Sequence, residues 1–218
     1  MPRLRDIRLL VGGFFLLALT APASAQNAPT RDDIVAKLDK YQSDLELDVA
    51  ALRQQVTERS KTRSKNEPPP QKRPPIAPDL NKLPTFNVDI TFDVDTPIVQ
   101  PESYQTVGRI ADAMVYSSLL PYTFLVVGHI EASGRREANA ILSQRRADAI
   151  REILVNTFKI SAKRIQSVGL GEEQLLDSAR PNAPVNNQIQ IMLLSKIPET
   201  EQPAAAASAK KQPAKKKR

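Results

Sequence analysis

Residues 128–147 read GHIEASGRREANAILSQRRA, and they join what precedes them to the longest helical stretch of the chain. Upstream, residues 122–128 (YTFLVVG) are an uninterrupted apolar run of strand length, which predicts a buried strand. Gly134 punctuates a loop. From Arg136 to Phe158 the pattern is helical, with Leu142, Ala149, Ile150, Ile153 and Leu154 falling inward. A strand, a loop rich in polar groups and a helix thus follow one another within forty residues.

The flanks extend this unit. Phe86, Val88, Ile90 and Phe92 alternate with polar residues, as in a half-buried strand, and Pro97 and Pro101 break it. Residues 102–118 are helical in pattern, with Val107, Ile110, Ala111, Met114 and Val115 on one side. Residues 165–168 predict a short strand, and Ile189, Ile191 and Leu193 alternate in a last one. The order β-α-β-α-β-β predicts an α+β fold with helices on one face of a mixed sheet, over residues 85–195.

Before this domain lie three segments. Residues 1–25 carry Arg3, Arg5 and Arg8, an apolar run over 9–21 and Ala23-Ser24-Ala25, the order of an export signal cleaved after Ala25. Residues 26–62 predict an amphipathic helix capped by Thr30. Its apolar residues Ile34, Leu38, Tyr41, Leu45, Val49, Leu52 and Val56 are spaced 4-3-4-4-3-4. This is an eleven-residue repeat that suits a straight or slightly right-handed helical pairing. Such a helix either lies on the domain or pairs, through residues 31–60, with a second copy or a partner helix as a coiled coil. Residues 63–84 hold seven prolines between Pro68 and Pro84 and predict an extended, semi-rigid linker.

Residues 196–218 are rich in Ala, Pro and Lys and predict a disordered basic tail. The net charge of +7 is uneven: residues 80–197 hold 12 basic and 12 acidic side chains, and residues 198–218 hold six basic against two acidic. An export signal directs a basic tail toward anionic envelope surfaces rather than nucleic acid.

Catalysis finds little support. The chain has no Cys and a single His, which removes Cys/His and multi-His metal sites. There is no G-x-S-x-G and no phosphate-cradling loop. Glu172 and Glu173 are adjacent and are expected to diverge. No cofactor is implied, and the absent Cys also excludes a lipidated N-terminal thioether.

Gly128, His129, Gly134, Asn139, Leu142, Ser143, Arg146 and Ala147 stand in one register, followed by Arg164-Ile165, Gly169-x-Gly171-Glu172, Asn186 and Ile189. In these positions residues 86–195 resemble the OmpA C-terminal-like family, the module that anchors envelope proteins to peptidoglycan. The resemblance implies that the domain binds the diaminopimelate group of the stem peptide, a tip bearing one ammonium and one carboxylate. By that resemblance Glu131 faces the ammonium and Arg146 the carboxylate, with His129, Asn139 and Asn186 among the peptidoglycan-binding residues. Taken singly, Glu131 is a solvated loop acid free to pair with Arg135 or Arg136, and His129 a packed structural ring.

Three departures from the family pattern bear on binding. Glu131 stands where the family has Asp, Ile130 where it has Thr, and Asn187-Gln188 where it has two Arg. The implied role is therefore a non-catalytic wall-binding protein of the periplasm, associated with the cell wall or outer membrane. The alternative is an exported scaffold of the same fold that has lost the wall. The family's membrane barrel is not expected, because too few residues precede the domain.

Overall fold

A computed structural model describes residues 29–40, 47–62 and 67–197. The export signal, Tyr41 and Leu45 of the apolar repeat, and the tail from residue 198 fall outside the described residues.

The core is a four-stranded mixed sheet of β1 (Thr85–Val88), β2 (Tyr122–His129), β3 (Ile165–Gly171) and β4 (Ile189–Lys196). The strands lie in the order β1-β4-β2-β3. β2 runs parallel to β3, while β4 is antiparallel to both β1 and β2. The α+β order expected from the sequence holds. β1 is shorter than its alternation suggested: it stops at Val88, and Phe92 pairs only with Val99 in an isolated bridge. β4 runs on to Lys196, one residue into the stretch expected to be tail.

Three helices cover one face of the sheet. They are α1 (Arg31–Leu38), α3 (Tyr104–Met114) and α4 (Arg136–Glu152), the last continued by a π-helical turn at Ile153–Thr157. They bury Ile34, Leu38, Val107, Ile110, Met114, Ile150 and Leu154 against Phe124, Val126, Ile191 and Leu193. α1 starts on a capping box: the Asp33 N–H donates to Thr30 Oγ1 at 3.2 Å, and the Thr30 N–H donates to Asp33 Oδ2 at 2.9 Å.

α4 lies flush on β2 and β3 because two glycines let it. A Cβ at Gly128 would run into the Ser143 carbonyl, and one at Gly169 into the Gln144 backbone. The contact is then sealed by side chains of the helix. The Gly171 N–H donates to Ser143 Oγ at 2.9 Å, and the Gly169 N–H donates to Gln144 Oε1 at 2.8 Å.

The helices of residues 85–195, α3 and α4, share one face as expected, but the opposite face is not left open. β2 is buried on both sides, and its alternate residues Leu125 and Val127 face the other way, with Val168, Leu170, Met192 and Leu194. That second apolar face is covered by α2 (Val49–Lys61) and by a strap containing a 3-10 turn at Pro78–Lys82. Val49, Leu52, Val56, Ala77, Leu80 and Leu83 bury against it. Each Val or Leu among them, taken from water, stabilises the fold by roughly 1.5–3 kcal/mol.

Two further expectations change with it. The single helix expected over 26–62 is two helices on opposite faces of the sheet, so the described residues of its apolar repeat are spent inside the domain rather than on a coiled-coil seam. Arg53 pins α2 to β3, donating from Nε at 2.8 Å to the Ser167 carbonyl. The linker of 63–84 is not an extended spacer over its described part. The Leu193 N–H donates to the Pro84 carbonyl, and the Ala77 N–H donates to Gln174 Oε1 at 3.0 Å. Proline supplied turns here, not reach, because buried Ala77, Leu80 and Leu83 hold the segment down.

Candidate functional site

The C-terminal end of β2 opens into a cavity of about 390 Å³ between the loop after β2, the start of α4 and the turn after Phe92. Its wall includes Glu131, Arg146, Asn139 and His129, four of the five residues singled out from the sequence. The structure therefore brings the two charged groups to one cavity from elements of different kind: Glu131 from a loop, Arg146 from the third turn of α4.

Arg146 is half-buried and held from two sides. Its Nε donates to the Thr96 carbonyl at 3.0 Å, and its guanidinium lies over the Phe92 ring, 4.7 Å from the centroid. Burial pulls its pKa below the ordinary guanidinium value, partly offset by the field of Asp95, yet it stays a cation at neutral pH. Among the described residues its terminal nitrogens meet no carboxylate and donate to no hydrogen-bond acceptor.

Glu131 is fixed through its backbone, not its carboxylate. Its N–H donates to Asn187 Oδ1 at 3.0 Å, and its carbonyl accepts from Asn139 Nδ2 at 3.1 Å. The carboxylate has no partner among the described residues. The basic neighbours that could have neutralised it are engaged elsewhere: Arg135 pairs with Asp95 at 3.1 Å, and Arg136 with Glu67 at 2.7 Å and with Glu173. One unpaired anion and one unpaired cation facing a shared cavity is an arrangement a protein normally avoids unless water or a ligand completes it.

The other singled-out residues are braces. Asn139 is buried, and its amide is fully used: Nδ2 donates to Glu131 O and, at 3.0 Å, to Glu172 Oε2, while Oδ1 accepts from Ser133 Oγ at 3.2 Å. His129 is buried between the Gln174 carbonyl, 2.9 Å from Nδ1, and the Gln190 carboxamide, 2.8 Å from Nε2. Burial holds the ring below the ordinary imidazole pKa, so it is neutral. Both partner atoms, the Gln174 carbonyl and Gln190 Oε1, are acceptors, so the neutral ring donates its single N–H to one of them.

Asn186 is corrected as a cavity residue. It is fully buried away from the cavity wall and knits the loop before β4, donating from Nδ2 to the carbonyls of Asp177, Arg180 and Pro181. Its effect on the cavity is indirect, because the Ala132 N–H donates to the Pro181 carbonyl at 2.9 Å.

Sequence reasoning missed the turn at 93–98. It is closed by the Asp93 N–H donating to the Ile98 carbonyl at 2.8 Å, and Asp95 adopts a left-handed φ of 55° at its tip. Arg135 ties Asp95 to the start of α4 across the cavity mouth and lowers its pKa. The cue available was D-V-D-T-P, a turn composition directly after a strand. The expected divergence of Glu172 and Glu173 also fails. Gly171 turns the chain at φ 52°, and both carboxylates enter one buried cluster with Arg59, Arg73 and Arg136.

The OmpA family model matches residues 91–188, which frame this cavity. Outer membrane porin F of Pseudomonas aeruginosa is 34% identical over 98 residues, covering 44% of this chain and 27% of the porin. The peptidoglycan-associated lipoprotein of Brucella melitensis biotype 1 is 30% identical over 92 residues, covering 41% of this chain and 53% of the lipoprotein. The chain thus spans about a quarter of the one and half of the other. Among solved structures, the cell wall anchor of the T6SS from Pseudomonas aeruginosa is 26% identical, covers 51% of this chain and 80% of that chain, and superposes with a TM-score of 0.41.

Proposed function

Residues 91–188 are an OmpA family domain, and from that premise we propose that this chain is a non-catalytic envelope protein that binds peptidoglycan through the cavity at the end of β2. The observation that carries the proposal is the pair of unpartnered opposite charges, Glu131 and Arg146, on one cavity wall. A zwitterionic amino-acid tip satisfies both at once, and the diaminopimelate side chain of the stem peptide is such a tip. The Arg146 fork pairs a carboxylate through two parallel N–H donors, and the Glu131 carboxylate accepts from the ammonium. The Brucella relative, a peptidoglycan-associated lipoprotein, supports the same reading.

The protein acts in the periplasm at the cell wall or outer membrane, after removal of residues 1–25, and the basic residues 210–218 add salt-sensitive adhesion to anionic envelope surfaces. Asn187 and Gln188, in place of two basic residues of the family pattern, favour a second reading in which the fold persists as a scaffold without wall affinity. Against it, Asn187 already serves the site by holding the Glu131 N–H.

Co-sedimentation with purified sacculi separates the two. The wall-binding reading expects the chain in the pellet at low salt and Glu131→Ala/Arg146→Ala in the supernatant. Wild-type protein remaining in the supernatant leaves the scaffold reading.

A further inference from the structure

The strap that covers the outer face of the sheet is also linked, through a chain of side-chain contacts, to the loop on the cavity wall. Arg73 lies on it, and its Nη1 donates to Glu172 Oε1 at 2.9 Å. The other oxygen of Glu172 accepts from Asn139 Nδ2 at 3.0 Å. The same Nδ2 donates to the Glu131 carbonyl at 3.1 Å, and Asn139 Oδ1 accepts from Ser133. Four contacts therefore run from a residue outside the family-matched region to Glu131 and Ser133 of the loop after β2.

The cluster around them takes half of its charges from residues ahead of β1. Glu172 and Glu173 are 4% and 2% exposed and Arg136 is 3% exposed. Arg59, Glu67 and Arg73, all N-terminal to β1, complete the set as three guanidinium groups against three carboxylates. Without them two buried carboxylates would share one guanidinium. A buried carboxylate that loses its partner costs heavily, so it reorients or recruits another donor. For Glu172 the donor at hand is Asn139, whose amide is the brace of the binding loop.

We infer that Arg73 is a positioning residue for the cavity, acting through Glu172 and Asn139 on the loop that presents Glu131, so that strap docking and ligand binding are coupled. Coupling of this kind is reciprocal: a ligand that favours the ordered loop holds the strap down by the same factor. The ligand readout rests on the wall-binding proposal; the structural readout does not.

The test uses the exported chain, residues 26–218, titrated with meso-diaminopimelate, and the Asn139 side-chain amide resonances recorded without ligand. Arg73→Met is expected to weaken binding about tenfold and to shift the Asn139 resonances. Arg73→Lys restores most of both. Val107→Ala, which loosens the core on the face of the sheet opposite the strap, is expected to keep affinity within about twofold while folded. Equal losses in Arg73→Met and Val107→Ala would show a generic loss of stability and overturn the inference, as would unmoved Asn139 resonances. If Arg73→Met does not fold, Arg73→Gln is read for the same shift. Should wild-type protein not bind diaminopimelate, the wall-binding proposal fails, and the inference stands or falls on the Asn139 resonances alone.

Discussion

The guanidinium of Arg146 lies over the ring of Phe92, 4.7 Å from its centroid, with Nε anchored on the Thr96 carbonyl. Stacking and the anchored Nε together leave the two terminal nitrogens to present as a planar fork. Lysine carries its three donors on one nitrogen and has no planar fork to offer two parallel N–H groups. Arg146→Lys is therefore expected to fold normally and to lose about tenfold in affinity for diaminopimelate, the equivalent of one charge-assisted hydrogen bond. Isothermal titration against wild type measures this, and equal affinities would mean that only the charge matters.

Gly169 is where α4 comes closest to the sheet. Gly169→Ala places a methyl group against the Gln144 backbone, which cannot yield as a flexible side chain would. The expected cost is about 1–3 kcal/mol or more of unfolding free energy, read as a lower denaturant midpoint. Gly134→Ala is the contrasting case. An added Cβ there meets nothing within 4 Å, but φ is 81°, so its cost is backbone strain alone and is expected to be smaller.

The outer layer should behave as core. Leu80→Ala removes a fully buried side chain and is expected to destabilise the domain by about 2–5 kcal/mol. Chemical denaturation gives the value. An extended linker would show no change at all.

His129 makes stability pH-dependent. The folded ring has a depressed pKa through burial, and the unfolded ring titrates near 6.5. Below about pH 6.5 the unfolded chain binds a proton that the folded chain refuses, so stability falls as pH drops, by up to ~1.4 kcal/mol per pH unit until the folded pKa is reached. His129 is the only histidine, so the difference in pH profile between wild type and His129→Gln isolates the effect. Parallel profiles from pH 7.5 to 5.5 would mean that the ring titrates alike in the folded and unfolded chain, without the depression that burial imposes.

Much of the fold was legible because its local signals agree. The run YTFLVVG and the alternation at Ile189, Ile191 and Leu193 placed β2 and β4, and Thr30 with Asp33 marked the start of α1. The second sheet face was legible in principle. A strand with no polar alternation is buried on both sides, and Met192 and Leu194 interleave the residues read as inward. The covering strap was hidden because prolines among Lys and Arg resemble a solvated linker, and the few apolar anchors, Ala77, Leu80 and Leu83, carry no periodic pattern. At the site, Glu131 and Arg146 were found by register with a family. Arg73 and Asp95 could not be, since their meaning lies in contacts with Glu172 and Arg135, 99 and 40 residues away.

The central claim is that the cavity recognises a zwitterion through one anion and one cation. Titrating the exported chain with meso-diaminopimelate, with cadaverine, which keeps only the two ammonium groups, and with pimelate, which keeps only the two carboxylates, tests it most directly. The account predicts that diaminopimelate binds and that each truncated analogue binds at least about tenfold more weakly. Equal affinity for all three, or no affinity for diaminopimelate, would contradict it.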